Sequence, residues 1–166
     1  MADALAFGPY AVLIGAGATA MTDVWTIVRA RIGGVAAPDY GLVGRWFGHM
    51  ARGRFFHESI AAAARVRGER LIGWTAHYLI GIAFASVLLA IGGIGWVRHP
   101  TIVPALIVGI GSVAAPFLLM QPAMGAGIAA SRTAHPAAAR LRSLAMHAAF
   151  GASLYVTGLV GRLVVP

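Results

Sequence analysis

Four stretches of this chain, at about 9–29, 71–96, 101–130 and 143–164, run almost without charge. Each is long enough to cross a bilayer as a helix, which takes ~20 residues. In hydrocarbon the backbone finds no water, so a spanning segment must close its hydrogen bonds internally. The composition agrees: 59% of the residues are hydrophobic and 11% charged, where soluble domains carry roughly 25% charged residues. The expected fold is all-α, an integral membrane four-helix bundle forming a single membrane domain over 1–166. An interfacial amphipathic segment is expected between the first two spans.

The third stretch is longer than a crossing requires and holds Pro104, Pro116 and Pro122. Proline removes a backbone donor and kinks a helix. A bend is therefore expected near PFLLMQP (116–122), with the freed carbonyls facing protein or water rather than lipid.

Arginine placement sets the orientation. The chain has no lysine, so all thirteen basic residues are arginine, and its formal charge is +8. Arg29, Arg31, Arg45, Arg52, Arg54, Arg65, Arg67 and Arg70 fall between spans one and two, and Arg132, Arg140 and Arg142 between spans three and four. Only Arg98 and Arg162 lie on the other side. The positive-inside rule then puts both arginine-rich loops in the cytoplasm and both termini outside a bacterial inner membrane. The opening MADALAFGPYAVLIGAGATAM lacks the positive n-region of a signal peptide and is expected to remain as the first span. Topology thus accounts for the positive charge, and no basic run is interleaved with stacking aromatics as nucleic-acid binding would ask. The chain has no cysteine, which excludes disulfides, thiolate metal ligands, iron–sulfur clusters and cysteine nucleophiles.

The 31–70 segment is too polar to span and too apolar for a free linker. Leu42, Val43, Trp46 and Phe47 share one face of a helix by their spacing, and Pro38-Asp39 is a plausible helix start. One or two amphipathic helices lying on the cytoplasmic leaflet are expected. Arg45, set among apolar residues in GRWFGH, would bind lipid phosphate or reach Asp23. Glu69 reads as a solvated partner of its neighbour Arg70, and Asp39 as a helix cap.

Two internal echoes run along the spans. Spans two and four both carry His-x-x-x-Gly, at His77/Gly81 and His147/Gly151, and spans one and three share Gly-x-Gly at Gly15/Gly17 and Gly109/Gly111. Duplication of a two-helix unit would produce this pattern, as in parallel repeats. The small-residue runs GAGATA (15–20) and MGAGIAAS (124–131) are expected to let helices approach closely, which disfavours a wide pore.

Depth picks out the chemistry. At ~1.5 Å per helical residue, His77 lies ~10 Å below the cytoplasmic boundary, His147 ~8 Å, Asp23 ~9 Å and Gln121 ~16 Å if its helix were ideal. Each span thus supplies one strongly polar residue in its cytoplasmic half. Trp25, Trp74 and Tyr78 lie near the same level, where an interfacial aromatic belt would also place them. Asp23, His77, Gln121 and His147, with Tyr78 and Arg45, would line a cytoplasm-facing pocket for a small ligand, proton or metal ion, in a transport-related role. Asp23, His77 and His147 would also suit a two-histidine, one-carboxylate metal site, or the two histidines could hold haem in a redox protein. Interhelical hydrogen bonds, worth ~0.6–2 kcal/mol each, would equally account for such residues, as in a non-catalytic assembly subunit. No signature such as HExxH marks a catalyst. The expected partners are the lipid bilayer, a small-molecule ligand and further copies of this chain, with no nucleic acid.

Together, DYGLVGRWFGHMARGRFFH (39–57), GERLIGWTAHYLIG (68–81) and QPAMGAGIAAS (121–131) resemble a bacterial membrane family known as domain of unknown function 2938. The resemblance extends over nearly the whole chain and implies four spans. It implies no activity and no catalytic residue.

Overall fold

The computed structural model describes residues 2–34 and 37–163. Every regular element among them is helical. In chain order they are α1 (Ala2–Gly33), α2 (Tyr40–Met50), α3 (Glu69–Gly92), α4 (Gly95–Arg98), α5 (Ile102–Gly111), a π-helical turn at Pro116–Met120, α6 (Gln121–Ala123), a 3₁₀ turn at Ile128–Ala130 and α7 (Pro136–Arg162). Four segments are long and apolar enough to cross a membrane: Ala6–Gly33, Glu69–Gly92, Ile102–Ala123 and Pro136–Arg162.

Local chemistry explains where these helices stop. α3 ends at Gly92 rather than near 96 because Gly93 turns the backbone at φ 66°. α4 follows as a separate turn that carries Trp96 and Val97 into the core. The third span breaks where its prolines require. α5 ends at Gly111, and the chain resumes as a π-helical turn starting on Pro116, whose ring cannot donate. Beyond Ala123 the α-helix does not continue: Gly125 and Gly127 take φ of 97° and 75°, and Ala129 and Ala130, in the 3₁₀ turn, also have positive φ. The small residues here therefore serve a tight irregular turn, not the helix contact expected of them. Arg140 Nε donates to the Ala129 carbonyl at 2.8 Å across that turn.

The chain forms two compact units. The first comprises Met1–Ala37, Tyr78–Ser112 and Ala145–Pro166. Its core is Ala11, Ile14, Ala18, Ala85, Leu88, Leu89, Trp96, Val97, Ala105, Val108 and Leu154, contributed by α1, α3, α4, α5 and α7. Small residues bring the helices together. A Cβ on Gly15 would collide with the backbone of Gly81 and Ile82, and one on Gly109 with the backbone of Gly151. Outward-facing positions are apolar too: Val24, Ile91, Val103 and Ile107 are each more than 60% exposed. Around a soluble core such a belt would be an aggregation liability, whereas lipid is its natural solvent.

The second unit comprises Pro38–His77 and Val113–Leu144. Asp39 caps α2 by accepting from Gly41 N at 2.8 Å. α2 lies against the start of α3: a Cβ on Gly44 would run into the Glu69 carbonyl, and one on Gly73 into the Tyr40 carbonyl. Its sidedness is inverted relative to a soluble helix. The buried face is Gly41, Gly44, Arg45 and His49, while Leu42, Val43, Trp46 and Phe47 stay half-exposed. A polar face turned inward and an apolar face turned out is the arrangement that suits an apolar surrounding.

Candidate functional site

In the first unit the polar groups form rungs between helices. The Tyr78 hydroxyl, on α3, hydrogen-bonds the Asp23 carboxylate on α1. On either side of Asp23, α1 reaches α7: Thr22 Oγ1 to Ser153 Oγ at 3.5 Å and Thr26 Oγ1 to Met146 Sδ at 3.3 Å. His147 thus sits on the stretch of α7 bracketed by these contacts. Its Nδ1 lies 2.7 Å from Ser112 Oγ, which donates to the Gly109 carbonyl at 2.6 Å. A hydroxyl has one proton, so with that bond made the His147 Nδ1–H donates to Ser112.

In the second unit, His77 stacks on Tyr40 with ring centroids 4.0 Å apart, and Trp74 packs against both rings. Gln121, the first residue of α6, has a buried Oε1 with no hydrogen-bond partner. Among the described residues no three of His, Asp or Glu come together in a set that could hold a metal ion.

Arg45 is 6% exposed and engaged on every nitrogen. Nε and Nη2 donate to the two Glu69 oxygens at 2.9 Å each, the bidentate fork geometry. Nη1 donates to the carbonyls of Ile60, Ala61 and Ala63 at 3.2, 2.9 and 3.2 Å. The carboxylate of Glu69 therefore belongs to Arg45, not to the neighbouring Arg70. The hydrogen bond to Glu69 outweighs the cost of burial and holds the Arg45 pKa above its ordinary value. Two further α2 side chains cap the same loop: Trp46 Nε1 donates to Phe55 O at 2.9 Å and His49 Nε2 meets Ala64 O at 2.9 Å. The 51–68 segment has no regular structure of its own, and α2 supplies the partners its carbonyls need.

One pair of residues was not visible in the sequence. His49 and His57 are each 7% exposed, and His57 Nε2 lies 3.2 Å from His49 Nδ1. The inward spacing on α2 (41, 44, 45, 48, 49) was the available signal, obscured by the apolar face beside it. Burial, with a smaller push from His49 and Arg54, lowers the His57 pKa below 6.5. The unfolded chain then binds a proton more readily than the folded one, so stability is unaffected above about pH 6.5 and falls as pH drops below it. Thermal unfolding in detergent is expected to show this loss, at most ~1.4 kcal/mol per pH unit for one proton. The His57→Phe variant should lose that slope.

The family described as Protein of unknown function (DUF2938) matches residues 12–161. No curated protein and no solved structure matches the chain.

Proposed function

The chain belongs to the DUF2938 family of proteins of unknown function, and from that premise, which carries no activity, we propose that it is a multi-pass protein of the cytoplasmic membrane with an ionisable station inside its spans. Both termini lie outside, as the arginine-rich loops on the opposite side favour. The station binds a proton or a small solute, in a transport-type role. One observation carries this reading: Asp23, the only acid in the interior of the four candidate spans, is held by the Tyr78 hydroxyl from a neighbouring helix. A carboxylate at bilayer depth is costly and is retained where it pairs or works. The Tyr78 hydroxyl fixes the carboxylate between α1 and α3. His147, bonded to Ser112 within the same unit, is a second polar group available to a solute.

A carbodiimide attacks protonated carboxyls in apolar surroundings, which gives a direct test. In nanodiscs the reagent should label Asp23, and Asp23→Asn should reduce labelling of the spans to background. In proteoliposomes, proton or solute movement should be lost in the same variant. Labelling confined to loop acids, with Asp23→Asn behaving as wild type, would sink the proposal. A stoichiometric partner in mild detergent alongside a silent Asp23→Asn would favour an assembly role instead.

A further inference from the structure

α2 runs antiparallel to the start of α3: Tyr40 lies against Gly73, Gly44 against Glu69 and Gly48 against Val66. The candidate span begins at Glu69, so each turn of α2 stands farther from the interior of that span than the turn before it. The last turn lies beyond the span's first residue, level with Val66. There the helix closes tightly. Arg52 N and Arg54 N both donate to His49 O, at 2.9 and 3.0 Å, and Gly53 N donates to Met50 O at 2.9 Å. Gly53 has φ 76°, the left-handed conformation that ends helices. The chain then doubles back, and Trp46 Nε1 donates to Phe55 O at 2.9 Å. Phe55 is thereby held level with Trp46, about one helical turn closer to the span than Arg52 and Arg54, whose amides sit at His49.

All four side chains of this turn are open. Arg52 and Arg54 are exposed, Phe55 is 51% exposed and Phe56 75%. Trp46 belongs to the half-exposed apolar side of α2, so Phe55 extends that side. The turn contains no acid. The second unit as a whole carries nine arginines against Asp39, Glu58 and Glu69, and Glu69 is taken by Arg45. Aromatic rings on the inner side and arginines one turn farther out is the order a bilayer interface favours, with rings at the acyl boundary and guanidinium groups among the headgroups.

We infer that Arg52–Phe56 is a docking surface for anionic phospholipid. Its two guanidinium groups bind the headgroup phosphate, and Phe55 and Phe56 seat against the upper acyl carbons. A soluble polyanion would meet the arginines and leave both rings in water. A zwitterionic lipid would suit the rings but set its own cation against two arginines. An anionic lipid matches both. Arg45, expected to meet lipid phosphate, is engaged by Glu69, and Arg52 and Arg54 take that role. The inference rests on the membrane placement proposed above and is independent of the Asp23 station.

Native mass spectrometry of the full chain, released from a neutral detergent, gives the Kd of bound lipid. The probes are phosphatidylglycerol and phosphatidylcholine with the same acyl chains. Wild type should prefer phosphatidylglycerol about tenfold, the attraction expected of two arginines near the surface. Arg52→Gln/Arg54→Gln should lose that preference and leave phosphatidylcholine unchanged. Arg140→Gln/Arg142→Gln removes the same charge from the start of α7 and should cost about twofold or less, since distant exposed charges are screened. Phe55→Ala/Phe56→Ala should weaken both lipids alike. All four positions of the turn are exposed and Gly53 is kept, so these variants leave the fold intact. Equal affinity for the two headgroups, equal losses from the two arginine pairs, or displacement of the lipid by inorganic phosphate at matched ionic strength would each overturn the inference while leaving the membrane placement standing. A chain that takes up neither lipid would sink both.

Discussion

Arg45→Met should destabilise the protein by ~3 kcal/mol or more, the largest loss expected from any single side-chain truncation here. Methionine keeps most of the aliphatic stem, so the loss reports the guanidinium and its bonds. Removing one member of a buried ion pair strands the other, at ~3–5 kcal/mol. Glu69 retains 18% of its side-chain exposure, and water there relieves part of the penalty, which favours the lower end. Against that, the carbonyls of Ile60, Ala61 and Ala63 lose their common donor, each at the cost of an unmade hydrogen bond. Arg45→Lys should recover little, because a single ammonium cannot make the fork and reach the loop together. Chemical unfolding in detergent measures the stability. Limited proteolysis should show new cleavage within 51–68 before global unfolding. An Arg45→Met protein as stable and as protease-resistant as wild type would remove Arg45 from the centre of this unit.

Gly109→Ala and Gly15→Ala form the second expected result. At both positions the added carbon meets backbone of the partner helix, which cannot rotate away as a side chain could. Overpacking typically costs ~1–3 kcal/mol, and backbone against backbone places these variants at or above the upper end. Gly111→Ala is the control. It lies at the end of α5 with nothing within 4 Å of the added carbon, so it should be neutral or stabilising by up to ~1 kcal/mol from helix propensity alone. If all three variants unfold together, the close crossings are not what these glycines serve.

These glycines also show how far the sequence could be read. Gly-x-Gly and His-x-x-x-Gly were visible as echoes, but no pattern along a chain says which glycine meets which. The crossings pair them consistently: Gly15 meets Gly81, and Gly109 meets Gly151. The first glycine of each Gly-x-Gly thus packs on the glycine of the following His-x-x-x-Gly, as two copies of one helix pair would. The spans were legible because bilayer thickness imposes a length on them. Their ends were less so, since Gly93 and the turn after Ala123 depend on backbone conformation that composition does not reveal. Asp39 as a cap was legible because capping is local. The partner of Glu69 was not: it lies 24 residues earlier, and adjacency suggested Arg70 instead. Asp23 and Tyr78 were both singled out by depth, but their mutual hydrogen bond depends on helix rotation, which depth counting leaves open. The His49–His57 pair was missed for a related reason, because an apolar face on α2 drew the reading toward the membrane and away from the side turned inward.

The separation of Arg45 from Glu69 has a consequence for biosynthesis. The arginine leaves the ribosome 24 residues before the carboxylate that receives it. Until then the charged side of α2 has no permanent partner. Completion of the loop is therefore coupled to arrival of the second span, because Glu69 is the first residue of α3. A nascent chain stalled short of Glu69 would carry an α2 with an unanswered charge, a state that quality-control proteases could distinguish from one assembled in order.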